Sequence, residues 1–365
     1  MNILANFYAG PGALPHTVKE KIKKGVDDYC GQGIGVMEYS HRSPAIVDLI
    51  QDTLDRFRKL LKLDEEWELM LLQGGGSLQF VMVPWNLAKP GELVDYIDTG
   101  YWTQRAIKEA SRCQRNLAVV ASGEKDGFLK LPRAIQTRQN SRFLHICSNN
   151  TVAGTQWSTL PSSEAPLVVD ASSDLLSKQM NYNNVNCIYA HAQKNIGIAG
   201  VTLVAVRKPA LINSGAESDL PYVLDYQTHI DHQSNYHTPP VFSIYVTNLM
   251  LKWLEYDMGG LVEMERVNTE KAALLYETLD QSALFSAPVN IADRSLMNVA
   301  FRTECAQFDK EFVSFCEMKG VIGINGHRSL GGMRASLYNA ITVDDVKILV
   351  SLIKQFEKSK SLAVA

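Results

Sequence analysis

A series of short apolar runs, each followed by a polar or glycine-rich turn, constrains the fold of this chain more than any other feature. The runs occupy residues 69–72, 93–97, 117–120, 143–147, 167–170, 187–190 and 201–206, and segments with helical spacing lie between several of them. They are mostly apolar rather than alternating, as expected of strands covered on both faces. Strands interleaved with helices predict an α/β fold whose mostly parallel sheet is covered by helices. Ligands of such sheets bind in the crevice at the carboxyl ends of the strands.

Two of these strand ends carry ionisable groups. One run closes Val168-Val169-Asp170-Ala171-Ser172-Ser173, and another leads through Ile188-Tyr189-Ala190-His191-Ala192-Gln193 to Lys194. A lysine delivered to the crevice beside an acid points to Schiff-base chemistry on an aldehyde cofactor. The plain alternative is a surface lysine after a strand, and these residues alone favour it.

At 365 residues the chain can build two domains, or one large domain with a smaller companion. After Pro239-Pro240 the pattern turns helical, and the last third reads as a smaller α+β unit. A net charge of −3 gives no basic field for nucleic acid. The six cysteines are dispersed, without C-x-x-C or zinc spacing, which predicts a reducing compartment with neither disulfides nor metal. The segment Met1-Asn2-Ile3-Leu4-Ala5-Asn6 lacks the pattern of a signal peptide. The most apolar stretch, 241–251, is interrupted by Lys252 and Glu255 short of the ~20 residues of a membrane span. It reads as a buried helix, so the expectation is a cytoplasmic protein that does not enter membranes.

Local signals place several helices. Thr17 and Glu20 have capping-box spacing. Ser43 followed by Pro44 opens a second helix, with Val47, Ile50, Leu54, Phe57 and Leu61 at core spacing. A final helix from Thr342 turns Val346, Leu349, Ile353 and Phe356 inward.

Between a strand and a helix lies Gln73-Gly74-Gly75-Gly76-Ser77. Glycines let a backbone approach an anion, and the helix start favours phosphate. The spacing is neither the dinucleotide fingerprint nor a Walker loop. Trp102, after another strand, could stack on a planar cofactor, although tryptophan is more often core. His41-Arg42, His327-Arg328 and Arg334 put cations in or beside glycine-containing loops. Arginine forks suit carboxylate and phosphate, so the set predicts a substrate with two anionic groups. No nucleophile elbow, H-E-x-x-H or kinase signature is present.

Together, Phe7-Tyr8-Ala9-Gly10-Pro11, Val36-Met37-Glu38-Tyr39-Ser40-His41-Arg42-Ser43, Leu72-Gln73-Gly74-Gly75-Gly76-Ser77-Leu78-Gln79-Phe80, Asp98-Thr99-Gly100-Tyr101-Trp102, Ala192-Gln193-Lys194-Asn195-Ile196-Gly197, Thr238-Pro239-Pro240, Gly326-His327-Arg328 and Gly331-Gly332-Met333-Arg334-Ala335-Ser336 appear in order along the chain. In this the chain resembles the phosphoserine aminotransferases, pyridoxal-phosphate enzymes of fold type I. The resemblance implies a large cofactor domain at 15–258, with a seven-stranded type of sheet, and a small domain from 1–14 and 259–365.

It also implies that Lys194 joins pyridoxal 5′-phosphate covalently and that Asp170 pairs with the pyridine nitrogen. Trp102 is then the stacking ring and Thr151 the hydroxyl beside the ring oxygen. Gly76, Ser77, Gln193, His237 and Thr238 form the cofactor-phosphate site. Arg334 holds the substrate α-carboxylate, and His41, Arg42, His327 and Arg328 surround the substrate phosphate. No metal is implied. The implied partners are glutamate, phosphorylated 2-oxo acids and a second copy of the chain, whose His41, Arg42 and Thr238 segment completes the neighbouring site.

His237 stands where the family commonly has asparagine, Asn150 where it often has glutamate, and Tyr8 where serine is common. Two alternatives are another fold type I small-molecule aminotransferase and a non-catalytic phosphate-binding relative. Intact Asp170, Lys194 and Arg334 weigh against the second. A desulfurase reading lacks a cysteine in the C-terminal substrate loop.

Overall fold

A computed structural model describes residues 3–211 and 220–364, with side chains as far as residue 361; Met1 and Asn2 lie outside the described residues. In chain order the main elements are β1 (Ala5–Asn6), α1 (His16–Asp27), α2 (Pro44–Leu61), β2 (Trp67–Gln73), α3 (Gly76–Leu87), β3 (Leu93–Asp98), α4 (Tyr101–Ala110), β4 (Asn116–Ser122), β5 (Leu144–Cys147), β6 (Leu167–Asp170), β7 (Val185–His191), β8 (Val201–Arg207), α5 (Tyr226–Asp231) and α6 (Val241–Lys252). Then follow α7 (Leu261–Asp280), β9 (Phe285–Ser286), β10 (Asn298–Thr303), α8 (Ala306–Met318), β11 (Val321–Ile322), β12 (Met333–Ser336) and α9 (Val343–Val364).

The central sheet has seven strands in the order β2-β8-β7-β6-β5-β3-β4. Only β8 runs against its neighbours β2 and β7; the other pairings are parallel. Successive residues of a strand face opposite sides, and both sides are apolar. Leu69, Leu71, Leu167, Val169, Ile188 and Leu203 join a core with α2 and α6. Met70, Leu72, Val168, Tyr189 and Val204 join another with α3 and α4. This double coverage is why the strands read as mostly apolar runs.

The parity also aims the site. Asp170 continues the row of Val168, and His191 that of Tyr189, so both lie on the α3 side.

A third core unites Ala5 and Phe7 with α7, α8, α9, β10 and β12, around Phe285, Phe301, Phe312 and Phe356. Here β12, β10 and β9 form an antiparallel sheet, while β1 pairs with β11 in parallel. The buried helix expected at 241–251 is α6, whose residues 243–251 are all buried. No described helix is long and apolar enough to cross a membrane.

Two local expectations are corrected. The Thr17–Glu20 capping box does not form: α1 begins after Pro15 with no side-chain cap, and Glu20 accepts from Lys23 instead. Val47 is 40% exposed rather than inward, because it flanks the stripe centred on Ile46, Ile50 and Phe57. Ser43 is the N-cap residue of α2 and Pro44 opens its first turn, as expected, with no side-chain hydrogen bond from the cap. By contrast, Thr342 and Asp345 bond reciprocally ahead of α9.

Candidate active site

A cavity opens at the carboxyl ends of the parallel strands, lined by the α3 start, Trp102, Thr151, Asp170 and Lys194 among others. Asp170 ends β6 and is only 5% exposed. Its carboxylate accepts from the Ser172 N–H at 3.0 Å and from the Ser172 hydroxyl. Among the described residues it forms no direct salt bridge, and Lys194 offsets its charge only through space. Burial pushes the carboxyl pKa up, with Ser172 holding it back. Asp170 is therefore a buried acid whose charge lacks a full counterpart.

Lys194 follows β7 and is 7% exposed. Its Nζ donates to Thr151 Oγ1 at 2.8 Å and lies 5.6 Å from the centre of the Trp102 ring. Burial pulls the ammonium down to about 8, Asp170 opposing that shift and Arg334 adding to it. A larger neutral fraction near neutral pH is what a nucleophilic or proton-transferring lysine needs.

The loops around these residues are pinned by side chains. Asp98 accepts from the Gly100 N–H, the Thr103 hydroxyl and Gln104, fixing the start of α4 and so the position of Trp102. Asn150 donates to the Thr99 carbonyl and accepts from the N–H groups of Val152 and Ala153. It thereby holds the turn that presents Thr151. A side chain at Gly100, where φ is +131°, would come within 2.7 Å of Asn150. The residue that departs from the family pattern thus has a local structural task.

The glycine turn leads into α3, which begins at Gly76. A Cβ on Gly76 would meet His191 Cδ2 at 3.1 Å and Ser172 Oγ at 3.3 Å. A side chain there would crowd both, and glycine leaves the backbone open. N–H groups in the first turn of a helix have no intrahelical acceptor and face along its axis.

Of the residues expected in the site, Gly76, Ser77, Trp102, Thr151, Asp170, Gln193 and Lys194 line this cavity. Arg334 reaches it through the Thr151 carbonyl, to which its Nη1 donates at 2.9 Å. Its strand, β12, was expected only as the end of a loop. Alternation there buries Met333 and Ala335 and turns Arg334 the other way. His327 packs against Tyr101, ring centres 4.9 Å apart, and Tyr101 packs edge-on to Trp102. Arg328 is exposed.

His41, Arg42, His237 and Thr238 do not line the cavity. Their two segments are tied to each other, since Asn235 Nδ2 donates to the His41 carbonyl at 3.0 Å. Sequence reasoning passed over His191, Ser172, Ser173, Phe80 and Cys147, which also line the cavity. Their positions next to Asp170, Lys194 and the glycine turn were the available signal.

The family description Aminotransferase class-V matches residues 4–349. A phosphoserine aminotransferase of Desulfosudis oleivorans is 42% identical over 355 residues, covering 97% of this chain and 98% of that protein. The structure of phosphoserine aminotransferase from Bacillus circulans subsp. alkalophilus superposes with a TM-score of 0.93 at 38% identity, covering 97% of this chain and 98% of that one. A PLP-bound phosphoserine aminotransferase from Trichomonas vaginalis superposes with a TM-score of 0.88 at 32% identity, covering 95% and 99%. A strand-end lysine and acid sharing one cavity with a helix start are thus set in a chain that belongs to the phosphoserine aminotransferase family of class-V aminotransferases.

Proposed function

We propose that this protein uses pyridoxal 5′-phosphate to move the amino group of glutamate reversibly to 3-phosphohydroxypyruvate, giving 3-phosphoserine and 2-oxoglutarate, as in L-serine biosynthesis. The observation that carries this reading is the one cavity that holds a buried acid with no direct ion pair, a lysine of lowered pKa and a helix start.

The residues present fit the cofactor. Asp170 would take the protonated ring nitrogen as the counter-charge it lacks. Trp102 would cover the ring, Thr151 would meet its oxygen, and Gly76, Ser77 and Gln193 would hold the phosphate. When bound, pyridoxal phosphate supplies an electron sink for the pair left at the substrate α-carbon. Lys194 then serves as the nucleophile that binds cofactor and as the base and acid that moves the substrate α-proton. Its lowered pKa supports both tasks. Arg334 would bind the α-carboxylate, its Nη1 already turned to the Thr151 loop.

His327 and Arg328, with His41 and Arg42, would take the substrate phosphate, and His237 and Thr238 would add to the cofactor-phosphate site. Because residues 41–42 and 235–238 cluster away from the cavity of their own chain, the reading is a homodimer in which each copy supplies them to the other's site. The large domain would span 15–258, with 1–14 and 259–365 in the small one; the separate aromatic core of the latter supports this division. A cytoplasmic setting accords with this chemistry. The related phosphorylated 2-oxo acid 3-hydroxy-2-oxo-4-phosphooxybutanoate, of pyridoxine biosynthesis, offers the same two anionic groups as a second substrate.

The test is direct. Purified protein should be yellow, lose that colour with glutamate, and regain it with 3-phosphohydroxypyruvate faster than with unphosphorylated 2-oxo acids. A colourless protein that takes up no pyridoxal phosphate would sink the reading.

A further inference from the structure

The imidazole of His191 is a polar cavity group to which the mechanism above gives no task. It ends β7 on the same row as Tyr189 and lies on the α3 side of the sheet. Its Cδ2–Nε2 edge faces Gly76, with Nε2 3.6 Å from where a Cβ on that glycine would stand. Its Nδ1 is buried and has no hydrogen-bond partner. Because Nδ1 is sealed away from the cavity, the edge left for a cavity ligand is the one that carries Nε2, beside the start of α3. The neighbouring lining residues are Gly76, Ser77, Ser172 and Gln193, where the phosphate end of the cofactor is expected to lie.

We infer that His191 is a further cofactor-phosphate ligand, donating an imidazole N–H to a phosphate oxygen beside the helix start and Gln193. The inference rests on the proposed pyridoxal-phosphate reading. Burial, reinforced by the nearby Lys194 charge, lowers the His191 pKa to about 3, so in the protein alone the ring is neutral and contributes one donor. A neutral donor suits this place, where Lys194 must keep its neutral fraction. A second cation beside it would depress Lys194 further.

The experiment compares pyridoxal phosphate with pyridoxal, which carries the same aldehyde and ring but no phosphate. Both are titrated into full-length protein stripped of cofactor, for wild type, His191→Asn and His191→Leu, by visible absorbance. The 31P resonance of the loaded proteins is recorded in parallel. His191→Leu should weaken pyridoxal phosphate about tenfold, as expected for one hydrogen bond to a charged group, and leave pyridoxal within about twofold. The 31P resonance should move, and His191→Asn, which keeps an N–H donor, should recover part of the affinity.

Equal weakening of both ligands by His191→Leu, or an unchanged affinity for the phosphate form, would overturn the assignment. Should His191→Leu fail to fold, His191→Asn decides. A 31P resonance identical to wild type together with unchanged selectivity for the phosphate form would then reject the contact. Failure of the underlying reading is separate, because wild type itself would then show no preference for pyridoxal phosphate over pyridoxal.

Discussion

The molecule buries two lysines of opposite character. Lys194, beneath the N-terminal loop, donates to one hydroxyl and faces a cavity. Lys271, in α7 of the aromatic-cored region, is wholly buried, and its Nζ donates to the carbonyls of Leu337, Tyr338 and Ile341 at 2.9–3.0 Å. Burial lowers the pKa of both. The difference lies in the partners. An ammonium has three donors, and Lys271 spends all three on the loop between β12 and α9, which makes it a structural clamp. Lys194 keeps donors free for a reaction. The number of unmet partners, rather than burial, separates chemistry from architecture here.

The comparison breaks most readily at Lys194. Lys194→Ala should reduce amino transfer by about 10³-fold or more and remove visible absorbance from bound cofactor, with the melting temperature of the cofactor-free protein little changed. Steady-state rates and thermal melts check this, and retained transamination would end the assignment. Lys271→Met should do the reverse. Three buried carbonyls lose their donor, so chemical denaturation should show a loss of about 3–5 kcal/mol, while the fraction that folds keeps its kcat/KM.

Asp170→Asn sharpens the contrast within the site. It should lower kcat by about 10²–10³-fold without comparable destabilisation, because the buried charge it removes is itself unfavourable. Arg328→Ala should weaken phosphorylated substrates by about 1.5–3 kcal/mol and leave the KM for glutamate nearly unchanged. An equal effect on unphosphorylated serine as amino donor would contradict the phosphate role.

The smallest effect is on pH. Capture of pyridoxal by cofactor-free protein needs neutral Lys194, so its rate should rise with pH through a midpoint near 8, well below an ordinary lysine. Asp170 favours the ammonium and Arg334 disfavours it. Asp170→Asn should therefore move the midpoint down and Arg334→Gln should move it up. Stopped-flow absorbance against pH reads both signs.

Much of the architecture was legible because it is written in short-range spacing. The run 167–170 coincides with β6, and the buried helix expected at 241–251 falls within α6. Elements that depend on distant partners were not. The short β12 carries a charge and follows a glycine loop, so nothing local marks it as a strand; pairing with β10 creates it. Thr17 and Glu20 had the right spacing for a cap that α1 does not use. His191 sat inside the most closely read stretch, yet its neighbour across the cavity, Gly76, lies on another element.

The sequence by itself determined a doubly covered, mostly parallel sheet, since both faces of its strands had to be apolar. It also placed Asp170, Lys194 and the glycine turn at loop ends, where a ligand could reach them. Tertiary structure decided which lysine reacts. Lys271 lies between Glu270 and Ala272 on a helix and reads as a solvated position. Only the packing of the 337–341 loop over α7 buries it and satisfies its donors. Packing likewise brings Thr151, Trp102 and Arg334 around Lys194 from three separate elements. Spacing along a chain tells which residues share a face. How many partners a buried charge finds depends on segments far apart in sequence.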